Sequence, residues 1–337
     1  MQVNRILQLF ERMMIMKDID VLALGELLID FTGSGISEQG NGLFEANPGG
    51  APCNVLAILN KLGKKTAFIG KVGNDAFGRM LKETLEDLGI GTEGLFLDDV
   101  YHTTLALVHT DETGDRDFTF YRDPGADVML TAGEVDPKLV KRAKIFHFGS
   151  LSLTHDTVRE ATKKAVSLAK EDGRIISYDP NYRDTLWKDE ESAKEQIAWG
   201  LAQCEILKIS EEELALMTGT ADIDAGAQLL RRQYPQIRLF NVTAGKDGSY
   251  SYYGNLTAFE PGFLLGGTIE TTGAGDTFGG AVLYYVLEHG LDALTDEDLH
   301  EMLRFANAAA YLVTTKKGAL RVMPKPEEIQ ALLRENP

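Results

Sequence analysis

The feature that most constrains this 337-residue chain is a repeated alternation of short apolar runs with amphipathic helical stretches. VLALGELLIDF (21–31) reads as one buried strand and APCNVLAILNKLG (51–63) as a helix closed by glycine. TAFIGKVG (66–73) reads as a strand and DAFGRMLKETLEDLG (75–89) as a helix. Further strand runs follow at 145–150, 174–180, 205–210 and 238–243, each flanked by helical pattern. Near-continuous apolar strands separated by helices require a mostly parallel sheet covered on both faces, a three-layer α/β/α sandwich. In such sheets ligands bind beyond the carboxyl ends of the strands.

Two segments break the rhythm. Residues 31–48 are glycine-rich and polar, and residues 95–122 hold period-two runs around the turn-like DETGD. These are expected to form antiparallel strands outside the main sheet, a small β lid. With no repeat or Pro/Ser linker, residues 19–337 read as one domain carrying lid segments 31–48 and 95–122. Residues 1–18, with four methionines, read as an extension without chemistry.

Charge and motif spacing narrow the function. A formal net charge of −17 argues against nucleic acid or an acidic membrane as partner. No apolar run reaches 18 residues, and Cys53 and Cys204 form neither a disulfide framework nor a metal spacing, so a reducing cytoplasm is the expected compartment. There is no GxxxxGK[ST] loop, GKVGNDAFG (70–78) lacks dinucleotide spacing, and the six histidines lack zinc spacing.

TTGAGDTFGG (271–280) is the most informative stretch. It precedes a run, 278–289, of helical length that ends at Gly290, so Gly273, Ala274 and Gly275 lie at a helix N-terminus whose bare N–H groups attract anions. Asp276 is expected to stay ionised in that field; an ordinary N-terminal cap is the simpler alternative. Asp30 closes GELLID where the strand meets the lid, and Gly49 and Gly50 let backbone approach a ligand beside Asn54. Arg183 follows a strand in DPNYRDTLW, and Thr243, Gly245 and Gly248 follow another in VTAGKDGS. Each has a plain alternative as a turn or packed loop. Collected in one crevice they suit phosphoryl transfer to an alcohol, with Asp276 taking the hydroxyl proton and the N–H groups of 273–276 stabilising charge.

These motifs, in this order and spacing from Val21 to Leu333, resemble the ribokinase-like (pfkB family) carbohydrate kinases. FTFYRDPGADVML, FHFGSLSL, SYDPNYRDTLW and ILKISEEELALMTG are most similar to the fructokinase branch. The resemblance implies an ATP- and Mg²⁺-dependent sugar kinase making fructose 6-phosphate. It makes Asp276 the base and Gly273, Ala274 and Gly275 the anion hole. Asp30, Gly50, Asn54 and Arg183 match sugar-contacting positions, and Thr243, Gly245, Gly248 and Asn307 nucleotide-contacting ones. Glu213 closes the family's N-x-x-E element, which organises Mg²⁺ through water; Ser210 stands there in place of asparagine. Leu56 replaces a usually small residue. Many members are activated by K⁺, whose ligands would here include Glu270 (where aspartate is usual), Thr272, Val313, Lys316 and Gly318. Family lids often pair into homodimers. A 2-keto-3-deoxygluconate kinase is the alternative, because its substrate carboxylate needs an extra cation and both Arg122 and Arg183 are in range to supply one. A sugar-binding regulator with a dead site is the non-enzyme alternative, disfavoured by the intact Asp276.

Overall fold

A computed structural model describes residues 18–110 and 116–336. The N-terminal extension (but for Asp18) and the DETGD turn lie outside the described residues.

β1 (Ile19–Leu24) shows why the chain layers as it does. Val21 and Ala23 face one apolar core, while Leu22 and Leu24 face another, and all four are fully buried. A strand buried on both faces requires helices above and below. β4 (Thr66–Gly73) and β8 (Ala143–Gly149) flank β1 in parallel, with Leu22 opposite Ala67 and Phe146. β5 (Gly91–Asp98) extends the sheet beyond β4. On the other side β9 (Ile175–Asp179), β10 (Ile206–Ser210) and β11 (Leu239–Thr243) continue in parallel. An antiparallel hairpin, β12 (Ser249–Tyr253) and β13 (Leu256–Glu260), closes that edge. The nine strands run in the order β13-β12-β11-β10-β9-β8-β1-β4-β5.

α1 (Ala51–Lys61) packs Val55, Leu56 and Ile58 into the core that also receives Phe278 from a helix at Ala274–His289 and Leu299 from one at Asp296–Thr314. Leu56 is a core residue, fully buried. Helices Asp156–Glu171 and Glu190–Leu201 cover the opposite face with Val158 and Ile197. Among the described residues no helix is long and apolar enough to cross a membrane.

The lid departs from the expected outline in three ways. First, 21–31 is not one strand. β1 stops at Leu24, and β2 (Leu28–Ile36) begins a second sheet. The break has tertiary causes: the Glu26 carboxylate accepts the Ala51 N–H at 2.8 Å, and Gly25 passes so close to Pro52 that a Cβ would meet Cγ at 2.6 Å. Second, the later lid segment starts at Leu105 and not at 95, because β5 belongs to the main sheet, where Leu95 pairs with Gly70. Third, the lid is not wholly antiparallel. β3 (Gly42–Gly49) and β2 are antiparallel, as are β6 (Leu105–Thr110) and β7 (Arg116–Tyr121), but β2 and β6 run parallel. β6 is reached through the β4–β5 crossover, so it enters the lid in the direction of β2.

Candidate active site

The helix that carries Asp276, α8 (Ala274–His289, counting every described α-helix), starts four residues before the apolar run that announced it. Gly273 is its N-cap in a left-handed conformation (φ 78°), and a Cβ there would also strike the Ala319 Cβ at 2.7 Å. Glycine is therefore required twice over. Asp276 is the third helical residue and not the cap, and no side chain caps the terminus; of its N–H groups, that of Ala274 donates to Thr271 O at 3.2 Å. Gly290 closes the helix as expected.

Asp276 lies at the bottom of a crevice of ≈ 690 Å³ between the carboxyl ends of the central strands and the lid. It is 9% exposed, and its Oδ2 accepts a hydrogen bond from Asn54 Nδ2 at 2.8 Å. Burial raises its pKa above the ordinary aspartate value, against the opposing pull of Asn54, Lys208 and Arg183. Desolvation thus makes the carboxylate a stronger base. Asn54 Oδ1 is buried with no protein partner, which leaves an acceptor for a ligand hydroxyl.

Asp30, from the lid, and Gly50, the N-cap of α1, line the crevice. Asp30 is the third residue of β2, within a lid strand and not at the end of a core strand. Gly49 sits opposite Leu28 and does not line the space; a Cβ on it would stand 2.3 Å from Asp30 Oδ2. Gly50 (φ 128°) brings backbone to within 2.4 Å of a would-be Cβ at Glu26 O. Glu26 lines the crevice too, and burial pushes its carboxyl up to about 7.

The wall opposite comes from strand ends. Arg183 follows β9, and its guanidinium donates to Tyr182 O at 2.8 Å. Ser210 caps α6 (Glu211–Thr218), its Oγ accepting the Glu213 N–H. Glu213 reciprocates: Oε2 accepts Ser210 N–H at 2.8 Å and Oε1 accepts Tyr182 N–H at 2.6 Å. Thr243, Gly245 and Gly248 line the far end after β11. Asn307 lines it as well, but its amide is committed to the protein, accepting from Ser249 Oγ and donating to Glu260 O and Pro261 O.

Arg122 is a correction. Its buried guanidinium pairs with Asp127 at 2.6 Å and donates to Leu151 O and Thr154 Oγ1, outside the crevice. The buried carboxylate of Asp127 holds it there, and Arg122 is not among the residues that line the crevice. Of the proposed cation ligands only Thr272 lines the crevice. Glu270 Oε2 accepts the Gly318 N–H at 3.2 Å, which ties this carboxylate to the loop after α9 (Asp296–Thr314), where Val313 O accepts the Lys316 N–H. Lys316 pairs through its ammonium with Glu328 at 3.0 Å.

Among the site residues that escaped the sequence reading are Glu26, Lys208 in β10 and Asp179 at the end of β9. A lone charge inside the apolar run ILKIS is the signal that could have found Lys208.

A buried base beside a helix terminus that no side chain caps, in a crevice flanked by a lid, is the arrangement of a phosphoryl-transferring enzyme acting on a small alcohol. Residues 18–326 match the model of the "pfkB family carbohydrate kinase", and the chain belongs to that family. It is 40% identical over 315 residues to fructokinase-1 of Zea mays, covering 93% of this chain and 97% of that one. It is likewise 40% identical to fructokinase-2 of Solanum lycopersicum, covering 93% and 96%. Among solved structures it resembles fructokinase with bound ATP from Xylella fastidiosa (TM-score 0.85, 31% identity, 94% and 98% covered). A double mutant of Vibrio cholerae fructokinase with fructose, ADP and potassium bound gives a TM-score of 0.83 at 31% identity, with 94% and 98% covered.

Proposed function

We propose that this enzyme transfers the γ-phosphoryl group of ATP to the primary hydroxyl of fructose, giving fructose 6-phosphate. The observation that carries the reading is the buried Asp276 carboxylate, fixed by Asn54 in the first turn of a helix whose terminal N–H groups open on the same crevice. Asp276 accepts the hydroxyl proton as the sugar oxygen attacks. The N–H groups of Gly273 to Asp276 stabilise the charge on the transferring group, already oriented and with no reorganisation at the moment of reaction. Asp30 orients the sugar by accepting from its hydroxyls.

Thr243, Gly245 and Gly248 are the residues we assign to the nucleotide, with Ser210 at its phosphate end and Asn307 shaping the wall behind. Among the described residues no group of three or more His, Cys, Asp or Glu is placed to hold a metal. Glu213, which lines the crevice, is the residue we assign to face, through water, Mg²⁺ carried on the nucleotide phosphates. When bound, the ion neutralises phosphate charge. Glu270, Thr272, Val313, Lys316 and Gly318 are assigned to a K⁺ site. Lid segments close over the sugar and exclude water. Exposed Ile36, Leu43, Phe44 and Tyr121 on the lid sheet support pairing of lids between two copies.

Initial rates with ATP against fructose, 2-keto-3-deoxygluconate, ribose and tagatose test the assignment. Fructose is expected to give the highest kcat/KM. Preference for the keto-acid would refute it.

A further inference from the structure

Lys208 sits in the middle of β10 between Leu207 and Ile209, both fully buried. Its own side chain is only 11% exposed and reaches into the crevice. The ammonium lies 3.2 and 3.1 Å from the two carboxylate oxygens of Asp179. A Cβ built on Gly275 would come within 3.1 Å of Nζ, so the ammonium stands against the first turn of α8.

That position sets two positive elements against each other. A helix N-terminus carries the equivalent of about half a positive charge, and it repels a cation. Burial also works against the ammonium, yet the carboxylates of Asp179, Glu213 and Asp276 outweigh it and hold the pKa above the ordinary lysine value. The group is therefore charged. Two positive elements, one an ammonium and the other a row of N–H groups, converge on one gap, which is an arrangement an anion bridges. Asp179 also accepts the Asn181 N–H at 3.2 Å, so it keeps an anchor when the ammonium turns toward a ligand.

We propose that Lys208 is a further catalytic residue of the transfer step: held by Asp179 until nucleotide arrives, its ammonium contacts the transferring phosphoryl group together with the N–H groups at Gly273 to Asp276. The inference rests on the kinase reading above. In the step, the bond from the γ-phosphorus to the bridging oxygen breaks and its electron pair leaves with ADP. A bond forms from the sugar oxygen to phosphorus, and the sugar proton goes to Asp276. Lys208 keeps its protons throughout and supplies charge alone. Gly275 then has a second reason to lack a side chain, since any Cβ would crowd the ammonium.

The test separates this role from a structural one. Removing one preorganised donor from a developing oxyanion costs roughly 10²–10³ in turnover. Lys208→Met is expected to lower kcat on fructose by at least ~10²-fold while the KM for ATP moves by less than about threefold, the split for a contact made in the transition state. The double variant Lys208→Met/Asp179→Asn is expected to be no more active. If Lys208 served only to neutralise Asp179, the single variant would leave a buried unpaired carboxylate and the double variant would repair it. Recovery of kcat in the double variant to near the native value overturns the proposal, as does a near-native kcat in the single one. Should the Met variant melt below the assay temperature, Lys208→Arg replaces it. That variant retains the charge but displaces it, so at least a ~10-fold loss of kcat is expected, and an unchanged kcat overturns the proposal. Native enzyme that transfers phosphate from ATP to none of the four sugars defeats the kinase reading itself, independently of Lys208.

Discussion

Gly49→Ala adds one methyl group next to the residue we assign to sugar orientation. The built Cβ would stand 2.3 Å from Asp30 Oδ2 and 3.2 Å from its Cγ, while Leu28 Cδ1 at 3.7 Å is in ordinary contact. Gly49 is not among the glycines with positive φ, so the backbone accepts alanine without strain. The neighbour that must move is the end of a side chain, and folding is expected to be nearly indifferent. The carboxylate has to retreat by about 1 Å, and a misplacement of that size costs on the order of 10²-fold in a positioned reaction. That corresponds to ~2.7 kcal/mol, within the roughly 1.5–3 kcal/mol of one hydrogen bond to a charged group. Steady-state kinetics with fructose and ATP varied in turn provide the assay, with a thermal melt alongside. The expected result is a kcat/KM for fructose lowered by roughly 10–10²-fold, with the KM for ATP and the melting midpoint held. Gly50→Ala is the contrast: its Cβ meets backbone, Glu26 O at 2.4 Å, in a left-handed conformation, and it should lower the melting midpoint. If Gly49→Ala left fructose kinetics untouched, Asp30 would not be a sugar ligand. If the KM for ATP rose in step, the lid strand as a whole would have moved and the argument from Asp30 would fail.

Three further outcomes are expected. Asp276→Asn should cut kcat by at least ~10²-fold without lowering the melting midpoint, because the raised pKa means that ionised Asp276 costs the fold stability at neutral pH; near-native turnover would remove it from the mechanism. Glu26 has a folded pKa of about 7 against an ordinary 4.5, so its contribution to stability is complete below 4.5 and is lost as pH rises through that window. The melting midpoint of Glu26→Gln relative to native should therefore rise between those pH values and level off above about 7, and a pH-independent difference would contradict the assignment. Glu270→Asp shortens the side chain by one carbon–carbon bond, ~1.5 Å, and should release the Gly318 N–H and strengthen K⁺ activation. The measurement is kcat against K⁺ at constant ionic strength; strong activation in the native enzyme that Glu270→Asp leaves unaltered counts against the site.

Much of this protein was legible in one dimension. Strands buried on both faces must be apolar nearly throughout, so ILKIS and TAFIGKVG declare themselves, and helices between them force a parallel three-layer sheet. Gly273 and Gly275 beside Asp276 mark a helix terminus open to anions because only residues without bulk allow it. Where tertiary contacts decided, local pattern gave no warning. The run 21–31 is mostly apolar, yet it divides at Gly25 because Glu26 bonds to Ala51, a residue 25 positions away. β5 looks like a lid strand, but pairing with β4 places it in the main sheet. Arg122 has the chemistry of a sugar ligand and is claimed instead by Asp127 and by Leu151 O from another part of the chain. Asp179 and Lys208, 29 residues apart, become an ion pair only when adjacent parallel strands set their ends side by side. Periodicity and turn chemistry are properties of neighbours in sequence and can be read there. The partner of a buried charge is a property of neighbours in space, and only the folded chain assigns it.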